Sequence, residues 1–403
     1  MPSNHYLRIT IILSMLVALG PMATDLYLPS FPAITKAFNV SSSEVQLTLS
    51  IYLIGFAMGQ LIYGPLSDQF GRKPVLIVGL LIFVISSVMA TLATSIEALI
   101  FIRLFQALGG CAGPVLGRSM VRDLYQPAES AIMLSHISTV MALAPAVAPI
   151  VGGYLTVYFG WEANFWFLFV YGLIALIVYI FNMSETINQK NPNALKLKQL
   201  FKNYFSIIKH REWLYYTLIC AFAYSGLFVF LSGSSFVLID FLEVAEEHFG
   251  YFFAVVIIGY MTGTQLTARL VKYYRSIVLI RIGCIIALTS GLIMFLLSII
   301  GLYSVFSIIV PHFFFMASVG VIMPLTIAGA LAPFPHMAGA ASALFGMLQM
   351  LIAAILGGLV GFFHTGTPTI MATGIAFAGA MTFLIIIRLE SFLQFYNKVI
   401  YKV

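Results

Sequence analysis

Long apolar runs alternate with short polar breaks along the whole chain. Hydrocarbon about 30 Å thick takes roughly 20 apolar residues of helix to cross. Twelve runs of that order can be placed, at about residues 8–28, 44–63, 75–93, 97–116, 131–155, 163–183, 213–237, 250–271, 277–299, 302–327, 339–361 and 368–389. They lack the polar face that a soluble core helix carries. The pattern predicts an all-α membrane protein with twelve transmembrane helices in two six-helix bundles.

One break is long, Ser184–Glu212. Six runs precede it and six follow, which predicts an N-terminal bundle over residues 1–183, a linker over 184–212 and a C-terminal bundle over 213–403. Inside the linker, Asn191-Pro192-Asn193 interrupts the chain. Beyond it Leu197, Leu200, Phe201, Tyr204, Phe205 and Ile208 recur at helical spacing, with Lys196, Lys198, Lys202 and Lys209 between them. This reads as a basic amphipathic helix lying on the inner leaflet and attracting anionic lipid headgroups, the alternative being a solvated linker.

Composition agrees: the chain is 61% hydrophobic and 8% charged, with a net charge of +6. Starting the chain in the cytoplasm places Arg8, Arg72, Lys73, Arg118, Arg122, six basic residues from Lys190 to Arg211, Arg269, Lys272, Arg275, Lys398 and Lys402 on the inside. The outer loops then hold essentially Lys36 alone, and Asp240–His248 carries four acids. That asymmetry follows the positive-inside rule and puts both termini in the cytoplasm. The basic balance is a membrane signal and implies no nucleic-acid partner. Cys111, Cys220 and Cys284 fall inside runs without metal-ligand spacing, so no metal site is expected. No phosphate-binding loop or catalytic constellation appears, and the chain reads as no enzyme.

Four places carry chemistry. Asp25, in T-D-L-Y-L-P-S-F-P, is an intramembrane acid near the outer end of the first run. Such a charge is costly unless paired or neutralised. Arg103 enters the fourth run after Glu97, at a rise of 1.5 Å per residue roughly 9 Å below that surface. The two are expected to face each other at matched depth, a carboxylate and a cation whose balance changes with conformation. A water-exposed Asp25 and an Arg103 clamped on backbone carbonyls are the alternatives. Gln106 either holds Arg103 or meets substrate, and Tyr27, Tyr52 and Tyr224 are candidates to border a substrate cavity.

The second place is the loop Gly64–Pro74, G-P-L-S-D-Q-F-G-R-K-P. Gly64 and Gly71 suit a tight turn and close helix approach. Asp68 and Arg72 suit charge-assisted bonds, Arg72 with Asp123 as partner, in a latch that forms when the cytoplasmic side closes. Third, A-L-A-P-A-V-A-P-I-V-G-G places Pro145, Pro149, Gly152 and Gly153 in the fifth run, where prolines bend a helix and small residues let backbones pack closely. Fourth, A-P-F-P-H-M-A-G-A-A-S-A-L, Ala332–Leu344, opens the eleventh run in the same style.

These motifs carry a resemblance. Gly64–Pro74 resembles the first loop motif of the major facilitator superfamily, Leu99–Gly110 its span-four arginine motif, and Ala144–Gly153 the proline-glycine motif of its proton antiporters. T-D-L-Y-L-P-S-F-P, V-R-D-L and Ala332–Leu344 resemble the Bcr/CflA drug-resistance branch. One departure is Ala144 before Pro145, where the antiporter motif usually has glycine. The resemblance implies a monomeric, multi-pass protein of the bacterial inner membrane. It implies export of small amphipathic or hydrophobic compounds, antibiotics among them, by alternating access. Protons flow in exchange, coupled through Asp25 and Arg103, and no cofactor takes part. A dedicated exporter of a siderophore, sugar or peptide is the alternative.

Overall fold

The computed structural model describes residues 3–187, 189–363 and 365–400, so Lys402 of the basic tail lies outside the described residues. The described residues are helical almost throughout. In chain order the helices are α1 (Ser3–Asp25), α2 (Phe31–Phe38), α3 (Ser42–Phe70), α4 (Arg72–Thr91), α5 (Ile96–Leu124), α6 (Pro127–Phe159), α7 (Glu162–Asn182), α8 (Leu197–Ile208), α9 (Arg211–Ser235), α10 (Glu246–Leu270), α11 (Ser276–Ile299), α12 (Val305–Leu331), α13 (Ala338–Phe362) and α14 (Thr369–Ile400). Among the described residues, twelve segments are long and apolar enough to cross a membrane. The first spans Leu7–Phe38, α1 and α2 together, well past the end expected near residue 28.

The absence of a polar face has a simple origin. On α4, Leu76, Leu80, Phe83 and Ser87 are buried, whereas Val78, Leu81, Ile85 and Met89 on the opposite flank are exposed. One flank packs on protein and the other meets lipid, so both are apolar. Polar side chains also cap helix starts. The Ser41 backbone N–H donates to Glu44 Oε2 at 2.8 Å, and Ser95 Oγ accepts from the Ala98 N–H at 3.2 Å. Both satisfy donors that the first turn of a helix leaves free.

The chain divides into two compact units, Met1–Phe201 with Val244–Ala254, and Lys202–Glu243 with Val255–Val403. Within the first unit α5 packs against α1, α3 and α4, and α4 also packs against α7. Within the second, α9 packs against α12, α13 and α14, and α11 against α12 and α14.

One expectation fails here. Gly64–Pro74 is not a loop: α3 runs unbroken through Asp68 to Phe70, and the single residue Gly71 separates it from α4. Gly71 adopts φ +108°, a left-handed conformation that glycine tolerates best. Gly64 lies inside α3 with nothing within 4 Å of where a Cβ would sit, so it serves neither turn nor close approach.

Candidate functional site

The first site grows from the end of α1. A helix leaves its last carbonyls without intrahelical donors, and they carry the negative end of its dipole. One of these, Ala23 O, accepts from Arg103 Nη2 on α5 at 3.0 Å. Arg103 Nη1 donates to Gln106 Oε1 at 2.5 Å, and Gln106 Nε2 donates to Ser87 Oγ on α4 at 2.8 Å. The guanidinium carbon lies 4.3 Å from the Tyr27 ring centre and 4.2 Å from that of Tyr52. Aromatic rings at such distances attract a cation. Tyr27 in turn donates its hydroxyl to Thr48 Oγ1 at 3.1 Å, because the Thr48 proton is spent on the Val45 carbonyl.

Asp25, the last residue of α1, is 4% exposed and accepts a hydrogen bond from Thr24 Oγ1 at 2.7 Å. It does not pair with Arg103. Among the described residues the ion pairs are Arg72–Asp68, Arg72–Asp123 and Arg281–Glu390. The expected couple is absent because the arginine caps the α1 main chain two residues earlier and is roofed by two tyrosines. Tyr27, Tyr52 and Gln106 are likewise committed. All three are wholly buried, packed around Arg103. Tyr224, half-buried on α9 in the second unit, packs its ring 5.1 Å from that of Phe228.

Immediately after Asp25 the chain turns, and a polar cluster pins the turn. Asn164 Nδ2 on α7 donates to Ser30 Oγ at 2.7 Å and to Thr156 Oγ1 on α6 at 2.9 Å. Gly152 explains how α6 comes close enough: a Cβ there would lie 1.6 Å from the Leu26 carbonyl oxygen. Gly153 faces the Glu246 carbonyl of the same unit, 2.6 Å from an added Cβ. Pro145 and Pro149 sit inside the continuous 33-residue helix α6 and do not end it.

A second constellation surrounds Arg72. Its Nη1 donates to Asp68 Oδ1 and to Ser67 Oγ, both at 2.6 Å, and its Nε to Asp123 Oδ2 on α5 at 3.0 Å. Sequence reading missed the fourth member, Glu185, just beyond α7. Its carboxylate accepts from the backbone N–H groups of Arg72 and Lys73 at 2.9 and 3.1 Å, capping α4. It also accepts from those of Thr186 and Ile187. Burial pushes this carboxyl up, but the four N–H donors outweigh it and hold it below the ordinary glutamate value. Gly71 must stay small, since a Cβ would come within 2.4 Å of Glu185 Oε2. The segment after Glu185 is tied in too: Thr186 Oγ1 donates to Asp123 at 3.2 Å, and the Asn191 N–H to the Asp68 carbonyl at 2.9 Å. A cleft of about 520 Å³ opens beside Asp123, lined also by Arg122, Tyr125 and Ser130, away from Asp25.

Residues 13–358, which include both constellations, match the family model described as Major Facilitator Superfamily. The chain belongs to the major facilitator superfamily. It is 33% identical over 364 residues to the bicyclomycin resistance protein homolog of Haemophilus influenzae, covering 90% of this chain and 91% of that one. It is 28% identical over 359 residues to multidrug resistance protein D of Escherichia coli, covering 89% and 90%. These similarities place it in the Bcr/CflA-type branch. The inward-open xylose transporter XylE of Escherichia coli shares the fold, with a TM-score of 0.74 at 16% identity over 95% of each chain. As a member of this superfamily the chain is a multi-pass transporter of the bacterial inner membrane acting on small molecules, and not an enzyme.

Proposed function

We propose that this transporter exports small amphipathic or hydrophobic compounds, antibiotics among them, in exchange for protons. The bundles 1–183 and 213–403 rock about a central site, as repeat-built transporters do. The observation that carries the reading is Asp25: a carboxylic acid 4% exposed, held at a helix end by Thr24, one residue before the turn that Asn164 pins. A buried acid without a cationic partner is costly in the membrane and is a functional group by default. As α1 and its neighbours tilt, Asp25 takes a proton from one side and releases it to the other. Arg103 fixes the main chain on which Asp25 sits, a positioning role in place of the direct pairing.

The resistance proteins it resembles support the choice of cargo. The basic residues support cytoplasmic termini, which puts the Arg72–Asp68–Asp123 cluster on the inner side as a latch between conformations. The exposed Phe201 and Phe205 of α8 support its lying on the inner leaflet. The protein works as a monomer, draws on the proton gradient and needs no cofactor.

The test is Asp25→Asn in proteoliposomes under an imposed pH gradient, with ethidium as cargo. Gradient-driven accumulation is expected to disappear while downhill ethidium exchange survives. Undiminished accumulation by the variant would place the proton site elsewhere.

A further inference from the structure

The second unit holds a buried side chain that the mechanism above leaves unused. His312 on α12 is 0% exposed, and neither Nδ1 nor Nε2 has a hydrogen-bond partner among the described residues. The imidazole lies nearly parallel to two phenyl rings. Phe230 on α9 is 4.1 Å away at an interplanar angle of 17°, and Phe315 is 5.8 Å away at 7°. Phe315 is set into a notch at Gly226, where a Cβ would come within 2.2 Å of its ring. One turn along α9 from Phe230, on the same face, Ser234 Oγ is also buried without a partner.

Such orphans are few in folded proteins, and each calls for a reason. A phenylalanine would fill the His312 position without leaving nitrogens unpaired. Three hydroxyls on these helices are already spent: Ser225 and Ser318 give their protons to the Phe222 and Phe315 carbonyls, and Thr326 to those of Ile322 and Met323. Charge does not relieve the imidazole either: α12 carries none, and that of α9 is confined to Arg211 and Glu212 in its first turn. An imidazole offers one N–H donor and one lone-pair acceptor in the ring plane, here beside two near-parallel rings.

We propose that His312 is a specificity-determining residue for cargo, reached when the packing of α9 on α12 loosens inside the second bundle as it rocks. The imidazole hydrogen-bonds an N–H or O–H group on a planar aromatic compound while Phe230 and Phe315 stack on the ring. This rests on the transport reading and names the cargo chemistry that the second unit selects.

The experiment uses two monocations of matched charge: ethidium, a planar ring system with aryl amines, and tetraphenylphosphonium, which has no hydrogen-bonding group. In proteoliposomes, His312→Phe is expected to raise the KM for ethidium about tenfold, the loss of roughly one hydrogen bond. The KM for tetraphenylphosphonium should stay within about twofold, and His312→Gln should restore part of the ethidium affinity. Equal changes for both cations, or none, would overturn the proposal. Ligand-induced thermal shift of the purified protein separates the two readings. Ethidium should stabilise the parent and not His312→Phe, with the unliganded variant melting no lower than the parent. That pattern without transport in the liposomes would sink the export reading and leave this one standing. An identical ethidium shift in parent and variant would sink this one.

Discussion

Gly152 and Gly64 undergo the same chemical change with different expected results when each is replaced by alanine. At Gly152 the new methyl carbon would sit 1.6 Å from the Leu26 carbonyl oxygen, against about 3.3 Å for a comfortable carbon–oxygen approach. The obstacle is main chain, so α6 and the end of α1 must separate by about the difference, roughly 1.7 Å. Overpacking of this kind costs about 1–3 kcal/mol and occasionally more. It also shifts the peptide that follows Asp25 and crowds Asn164 Oδ1, which is 3.2 Å from the same point. At Gly64 nothing lies within 4 Å. Alanine there removes the entropy penalty of a helical glycine, about 0.5–1 kcal/mol, but sets its Cβ against the Cδ of the following Pro65, so the two effects nearly cancel.

Thermal unfolding of the purified variants, followed by intrinsic fluorescence, reads both, at roughly 2–4 °C per kcal/mol for a unit of 150–250 residues. Gly152→Ala should melt several degrees lower and lose gradient-driven transport, and Gly64→Ala should melt close to the parent with transport intact. A Gly152→Ala protein with parental melting and full transport would refute the close-approach argument. So would a Gly64→Ala protein as unstable as its counterpart.

Other perturbations follow from the same geometry. Arg103→Lys exchanges the planar fork for a point charge, forfeiting one hydrogen bond and much of the double stacking, with an expected loss of about 2–4 kcal/mol. Parental melting of that variant would contradict the clamp. Because Glu185 is held low by N–H donors, its contribution to stability is present above its ordinary value of 4.5 and fades as pH falls below it. Glu185→Gln should therefore flatten the stability profile between about pH 5 and pH 3, measured as melting temperature against pH. An unchanged slope would count against the capping role.

Hydropathy located the spans because hydrocarbon demands apolar side chains on every flank, as the two faces of α4 illustrate. It did not locate helix ends, since a helix continues past the end of its apolar run, as α3 does through Ser67 and Asp68 to Phe70. The spacing of Asp25 and Arg103 reported depth in the membrane but not rotation about the helix axes or the main-chain acceptor at Ala23. Glu185 escaped notice because its partners at Arg72 and Lys73 lie more than a hundred positions away and are backbone N–H groups. His312 stood among seven histidines with no motif to single it out. Its isolation among rings exists only in three dimensions.

Each proline in α6 deletes one rung of the helix's hydrogen-bond ladder. Pro145 leaves the Met141 carbonyl without its usual donor, and Pro149 leaves that of Pro145, so two successive turns are missing a rung while the helix runs on. Bending stiffness is lowest there, one turn short of Gly152 on the Leu26 carbonyl. A small swing of α6 about that compliant stretch therefore arrives, undamped by any intervening side chain, at the peptide beside Asp25.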